Sequence, residues 1–428
     1  MERGAGVDTG ELARRLDGLI AENRRIHDAE SLNLDPASNV MSPVAEAMLS
    51  AGLGTRPSLG RPGAKYETGL EAIEEIELLA DDLARRVFGV THVELRTASG
   101  AMANVYAFLA TCEPGDTVIV PPASIGGHVT HHRSGAAGLL GLDIHEAPID
   151  ADRLTVDVSA LAELAERVRP RLITIGGSLN LAAPPVAELR RVADAVGARL
   201  LVDAAHMSGL FAGRWWPSPI AEGAHLLTMS TYKSLGGPPA GIVCTDDEEL
   251  AARLDAIAHP GLTANFDVAK TAALASTLLD WIDCGAEYAT AMVATARELA
   301  EGLATRGIPV VGVGPHRTDS HHVAVDARRF GGGATVARRL RSANLLACGI
   351  GLPVGPVPGS DEPPGLRLGT PEMVRGGRGR VAAYLGAGFS PGAPPAPRGG
   401  GAADVSAFRA GFDRIHFVRG GPVAPLTR

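Results

Sequence analysis

Residues 200–241 read LLVDAAHMSGLFAGRWWPSPIAEGAHLLTMSTYKSLGGPPAG, and this stretch decides the fold. An apolar run through Val202 is rich in strand formers, and Asp203 follows where the strand ends. A second run, 224–228, leads into Ser230, Thr231, Tyr232 and Lys233, then Gly236-Gly237-Pro238-Pro239. Strand-end carboxylates and hydroxyl-flanked lysines sit where open α/β sheets bind ligands, in the crevice beyond the carboxyl ends of the strands.

Lys233 is also unusual by count. Of 40 Lys+Arg residues only three are lysines: Lys65, Lys233 and Lys270. Arginine cannot replace lysine where a deprotonatable amine is needed. Lys270, inside a helical pattern, reads as a surface residue; the setting of Lys233 points to chemistry. Asp203, His206 and Lys233 fit a pyridoxal phosphate (PLP) pattern, in which a carboxylate keeps the pyridine nitrogen protonated and the amine holds the aldehyde. The run VDAAHMSGLFAG…PSP…AHLLTMSTYKSLGGPPAG closely resembles serine hydroxymethyltransferases. That resemblance implies PLP as cofactor and fold type I: a large domain with a mainly parallel seven-stranded sheet, plus a smaller C-terminal α/β domain.

At 428 residues the chain exceeds a single core, so two domains are expected. The boundaries read as an N-terminal arm 1–35, a large domain 36–284 and a small domain 285–428, with a flexible linker at 391–402. A composition of 45% hydrophobic but 4% aromatic residues implies a core of Ala, Leu and Val. A net charge of −8 argues against nucleic acid, and no apolar run is long enough to span a membrane. Cys112, Cys244, Cys284 and Cys348 lack CxxC spacing and read as thiols of a reducing compartment, the cytoplasm, with no metal site. Apolar residues at helical spacing in 11–29 suggest an arm whose face needs a partner; the resemblance implies a homodimer or a dimer of dimers.

From Gly69 onward strands at 91–95, 117–120, 140–147, 171–175, 199–202, 224–228 and 241–244 alternate with helical patterns at 70–87, 101–110, 158–168 and 186–195. This is the signature of a parallel sheet. Helices are expected at 248–258, 267–282 and again from about 286, strands near 309–313, 321–325 and 366–368, and a last helix at 403–419.

The remaining chemistry follows from the resemblance. Ser99, Gly100 and Ala101, in ASGAMAN with Asn104 in register, form a phosphate cup at a helix N-terminus. In GGHVTH, His128 stacks on the pyridine ring, while His131, His132 and Arg133 read as solvated loop residues. Ser178 lies near the cofactor, His206 meets its phenolic oxygen, and Ser230 supplies a hydroxyl before Lys233. In GLRLGTP, Arg367 holds the substrate α-carboxylate through a planar fork. Residues 318–322, TDSHH, are a structural segment, and 33–43 helps frame the substrate.

The pattern fails in one place. Where the family has approximately YSEGYPGxRYYGG, this chain has PSLGRPGAKYETG at 57–69. Leu59 replaces a proton-handling glutamate and Pro57 a tyrosine, while Tyr66 remains as a catalytic and substrate-binding residue. The family's QGGP becomes 263–266 and its NKNTIP becomes 348–353. Folate-side groups are lost and amino-acid-side groups kept. The expected activity is therefore cleavage or formation of the Cα–Cβ bond of a β-hydroxy amino acid through a carbanion spread into the PLP ring. A threonine-type transaldolase or aldolase passing a glycyl unit to an aldehyde comes first. A folate-dependent serine or α-methylserine hydroxymethyltransferase is the alternative, and a silent PLP-binding scaffold is the alternative of another class. Glu67, or a water held by His128 and Tyr66, is the expected stand-in for the missing glutamate.

Overall fold

The computed structural model describes residues 8–377 and 400–426. Seven strands make the large sheet: β1 His92–Thr97, β2 Thr117–Val120, β3 Asp143–Glu146, β4 Leu172–Gly176, β5 Arg199–Asp203, β6 Leu226–Ser230 and β7 Gly241–Thr245. Their spatial order is β1-β7-β6-β5-β4-β2-β3, parallel except for β7, which runs antiparallel to both neighbours. Alternate residues feed opposite cores. Leu200 and Val202 join a core with the helices Glu71–Phe88 and Val186–Val196, while Leu201 faces the one under Gly100–Thr111. Strands buried on both faces are near-continuous apolar runs for this reason.

Two edges differ from expectation. β6 begins at Leu226, because the Ala224 amide closes a turn onto the Pro219 carbonyl. β3 begins at Asp143, because Leu140 and Gly141 end a helical turn.

The helices expected at 267–282 and from 286 are one helix, Val268–Ala304, of 37 residues. The domain boundary placed after residue 284 therefore lies inside a rigid rod about 55 Å long at 1.5 Å per residue. Gly285 looks like a breaker but is a packing residue: a Cβ on it would lie 2.6 Å from Trp281 Cε3, and a Cβ on Gly213 would lie 2.4 Å from Ala289 Cβ, so glycine at 213 lets that turn cross the helix closely.

The small domain is a four-stranded antiparallel sheet, β8 Val310–Val311, β9 His322–Asp326, β10 Cys348–Ile350 and β11 Gly365–Gly369, ordered β8-β9-β11-β10. Its core takes Leu32 and Leu34 from the N-terminal segment, and Leu32–Asn33 pairs in parallel with Leu345–Leu346. Residues 31–35 are thus part of the small domain, and the arm proper is the helix Thr9–Arg24, which buries no residue. The last helix runs Gly400–Ala410 and stops at the turn around Gly411, earlier than expected. The linker expected at 391–402 falls outside the described residues up to 399, and residues 400–402 open that helix.

One buried ion pair ties these parts together. Arg375, 1% exposed, lies 3.3 Å from Asp280, 7% exposed, on the long helix. Its Nη1 donates to the Val40 and Gly236 carbonyls, and the Arg419 amide donates to Asp280 Oδ1. Gly236 has φ +68°, and a Cβ there would lie 2.2 Å from Arg375 Nη1. Removing one partner of such a pair leaves a buried charge uncompensated. Arg375→Leu is expected to cost about 3–5 kcal/mol. Chemical denaturation followed by tryptophan fluorescence checks it, and Asp280→Asn in the same chain should recover part of the loss.

Candidate active site

The Lys233 backbone is pinned from several directions before its side chain does anything. Its carbonyl accepts from Asn39 Nδ2 (3.0 Å) and the Gly236 amide (2.9 Å). Ser234 donates to the His206 carbonyl and accepts from the Gly209 amide. Thr231 Oγ1 donates to the Pro238 carbonyl and accepts from the Ala240 amide. The amine itself makes no hydrogen bond among the described residues and is 7% exposed. Burial, with help from Arg367 and against the attraction of Asp203, lowers its pKa from 10.5 to about 8. A cation without a hydrogen-bonding partner in low dielectric gives up its proton more readily.

Asp203 ends β5 at 1% exposure. Its Oδ2 accepts from Asn104 Nδ2 (2.9 Å) and His131 Nε2 (2.8 Å), and Oδ1 from the Ala205 amide (3.0 Å). Burial opposes ionisation, but His131, the Ala205 amide and Asn104 outweigh it and hold the carboxyl far below the usual range. Asn104 is itself ordered by Thr228 and Thr130. His131 was expected to be solvated. It is fully buried instead, because the 3-10 turn Val129–His131 folds the loop back onto β5. Its spacing of three from His128 was the available signal.

His128 lies half-buried at the start of that turn, with Nδ1 2.9 Å from Thr130 Oγ1. Desolvation lowers its pKa, so the ring is neutral near pH 7. Ser99 caps the helix Gly100–Thr111, and the Gly100 and Ala101 amides are left free of hydrogen bonds among the described residues. A Cβ on Gly100 would stand 2.9 Å from Ser230 Cβ, so the turn can approach β6 only as glycine. The Ser230 hydroxyl is already committed to the Ala205 carbonyl at 2.6 Å.

Across the crevice, β11 carries Arg367. Its Nη1 donates to the Ser178 carbonyl and lies 3.3 Å from His206 Nε2, and its Nε is buried without a partner. Ser178 thus enters the site through its backbone. Arginine only donates, so His206 Nε2 is the acceptor and its proton sits on Nδ1, which is buried and unpartnered. His322, on the same face of the small sheet, packs edge-on to His206 at 5.3 Å. Tyr66 is the exception. It is 82% exposed on the flank of the hairpin Gly60–Arg61/Ala64–Lys65, and its own chain does not bring it to Lys233 or Arg367. Lys65, the other retained lysine, is occupied by Glu77 at 2.7 Å.

These groups fit PLP. An ionised carboxylate with a lone pair left on Oδ1 suits a pyridinium, the orphaned His206 Nδ1–H suits a phenolic oxygen, and free amides at a helix start suit a phosphate. A depressed lysine amine beside them completes the set, which defines a pyridoxal phosphate enzyme of the fold type I α/β plan.

The chain belongs to the serine hydroxymethyltransferase family, which it matches over residues 15–383. It is 59% identical over 371 residues to an alpha-methylserine aldolase of Variovorax paradoxus, covering 87% of this chain and 84% of that protein. An alpha-methylserine aldolase of Ralstonia sp is 52% identical over 376 residues, covering 88% and 85%. The serine hydroxymethyltransferase of Sulfolobus acidocaldarius is 38% identical over 359 residues, covering 84% and 83%. The chain is accordingly a PLP-dependent enzyme of aldol-type chemistry.

Because capture of an aldehyde needs the neutral amine, the rate at which apoprotein takes up PLP should rise with pH and level off above about 8. Stopped-flow absorbance checks this; a rise continuing toward 10.5, the ordinary lysine value, would show an unperturbed amine. Borohydride trapping and peptide mapping should place the cofactor on Lys233.

Proposed function

We propose that this enzyme is a folate-independent aldolase that cleaves an α-methyl-β-hydroxy amino acid, α-methylserine in the first instance, to alanine and formaldehyde. The 59% identity to a protein named alpha-methylserine aldolase carries this reading. It keeps the aldolase expected from the sequence and replaces the expected threonine-type substrate and glycyl unit with α-methylserine, which the sequence reading had placed under the hydroxymethyltransferase alternative, and an alanyl unit. Leu59 supports it independently: half-buried, it offers no hydrogen bond to a pterin and no proton. The alternative, a folate-dependent hydroxymethyltransferase, draws on the 38% relative. A silent scaffold has no use for a depressed lysine amine opposite a buried arginine.

When bound, PLP supplies an electron sink for the pair left on Cα as Cα–Cβ breaks. Around it, Lys233 would hold the aldehyde, yield it to the substrate's amino group and move protons at Nζ. Asp203, oriented by Asn104 and His131, would stay ionised beside the pyridine nitrogen. His128 would cover one ring face, Ser99, Gly100 and Ala101 would take the phosphate, and His206 Nδ1 would donate to the phenolic oxygen. Arg367 would take the substrate carboxylate and so fix which bond of Cα stands across the ring.

The site is proposed to act in at least a dimer. Leu12, Leu16, Leu19 and Ile20 of the first helix are 50%, 59%, 58% and 45% exposed, an apolar face suited to a second copy, and Tyr66 stands outside its own chain's site. Among the described residues no helix is long and apolar enough to cross a membrane. The free cysteines fit a reducing cytoplasm.

Incubation with α-methylserine, threonine and serine, with and without tetrahydrofolate, tests the reading. Formaldehyde and alanine should form from α-methylserine at a rate that folate does not change, because each unpaired pterin donor costs about 1–3 kcal/mol. Folate-stimulated serine cleavage with tight folate binding would restore the hydroxymethyltransferase. Lys233→Arg should abolish turnover, since its guanidinium stays protonated.

A further inference from the structure

Cleaving a β-hydroxy amino acid requires that the hydroxyl lose a proton and that Cα gain one. Leu59 has no atom for the first task, and most ionisable groups near Lys233 are committed elsewhere. Asp203 is bound to Ala205, Asn104 and His131. His206 gives Nε2 to Arg367. The Cys348 thiol is pushed up to about 11 by burial and stays protonated, a poor base. Tyr66 points away from its own chain's clamp, and Glu67 beside it makes no hydrogen bond to Lys233, Asp203 or Arg367.

Asp35 differs from all of these. Its Oδ1 accepts from the Ala37 amide at 3.0 Å and from Cys348 Sγ at 3.4 Å, and lies 3.5 Å from Arg367 Nη2. Its Oδ2 makes no hydrogen bond among the described residues, and the side chain is 32% exposed. One oxygen anchors the carboxylate, and the other is left unpartnered on a part-exposed side chain beside Arg367. Arg367 gives Nη1 to Ser178 and His206 and Nη2 to Cys348 Sγ at 3.1 Å, with Asp35 Oδ1 beside Nη2, so a substrate carboxylate that meets the clamp on that side meets Asp35 as well. The carboxyl carbon, Cα and Cβ of the substrate are consecutive atoms. A base beside the clamp therefore reaches the hydroxyl on Cβ. The charge of Asp35 is also felt at the Lys233 amine, where it opposes the effect of burial.

We propose that Asp35 is the catalytic base for the β-hydroxyl, performing the work that Leu59 cannot. This rests on the aldolase reading above. The hydroxyl proton passes to Oδ2, the O–H pair closes the C=O of formaldehyde, and the Cα–Cβ pair stays on Cα. Cα then takes a proton from Lys233 in its protonated ammonium form, which regains one from water, while Asp35 gives its proton to water. The sum is α-methylserine to alanine and formaldehyde, with no other reactant.

The test compares Asp35→Asn, Asp35→Glu and Glu67→Gln with the wild-type holoenzyme. Aldehyde release reports cleavage, and deuterium exchange at the α-carbon of alanine reports the clamp and Lys233 without a β-hydroxyl. Calorimetric binding of alanine reports the clamp alone. Asp35→Asn should lower kcat for cleavage by about a hundredfold or more. KM, alanine binding and exchange should stay within about threefold of wild type. Asp35→Glu should recover part of the rate. Cleavage by Asp35→Asn within about fivefold of wild type would overturn the assignment. A parallel fall of cleavage, exchange and binding would do so too, making Asp35 a positioning partner of Arg367, as would a hundredfold loss confined to Glu67→Gln. Wild type that cleaves threonine or serine but not α-methylserine sinks the substrate reading alone, and the same comparison on that substrate still decides for Asp35. Wild type that cleaves none of them sinks both.

Discussion

An ionised carboxylate at 1% exposure is the constraint on which this site depends. Taking a carboxylate out of water costs several kcal/mol unless donors replace the lost hydration. Asp203 finds them in one amide from its own chain turn, one asparagine from the phosphate-cup helix and one histidine from the loop after β2. Those segments are far apart in sequence, so the charge can persist only once the sheet has assembled. A cofactor nitrogen placed against it stays protonated, and the electron sink follows.

The opposite problem is solved at Lys233. Its pinned backbone leaves the amine little freedom and no hydrogen-bond acceptor, and the arginine across the crevice disfavours a second cation. Asp203 and Lys233 are thus held in contrasting protonation tendencies by donors in one case and by the absence of acceptors in the other. The same arginine, Arg367, is held on one side by Ser178 and His206 and on the other by Cys348 and Asp35. Domain geometry carries this arrangement: the buried Arg375–Asp280 pair joins the long helix to the small domain that presents Arg367.

Much of this was legible in the residues. The alternation of apolar runs and helical patterns located seven strands, and Asp203 and Lys233 stood out by residue type and setting. Misreadings had local causes. Gly285 looks like a breaker in a linear pattern but is a contact residue in three dimensions. Leu32 and Leu34 look like the tail of an arm but fill the small-domain core. Tyr66 is a different case: it matches a motif, and its exposure within its own chain is a property of the folded hairpin that the motif does not carry.

By itself, then, the sequence determined the sheet, the strand-end acid and the lysine, because each is encoded by local periodicity or by a residue type that no other can replace, while Arg367 was reached only through the family resemblance. Only the tertiary structure decided what His131 and Asp35 do. His131 becomes a donor to Asp203 because a 3-10 turn carries it into the protein, where an unpaired nitrogen would be costly. Asp35 becomes a neighbour of Arg367 because residue 32 pairs with residue 345, which carries the following loop to the mouth of the crevice. Neither contact has a period or a motif; both are consequences of distant segments closing on one another.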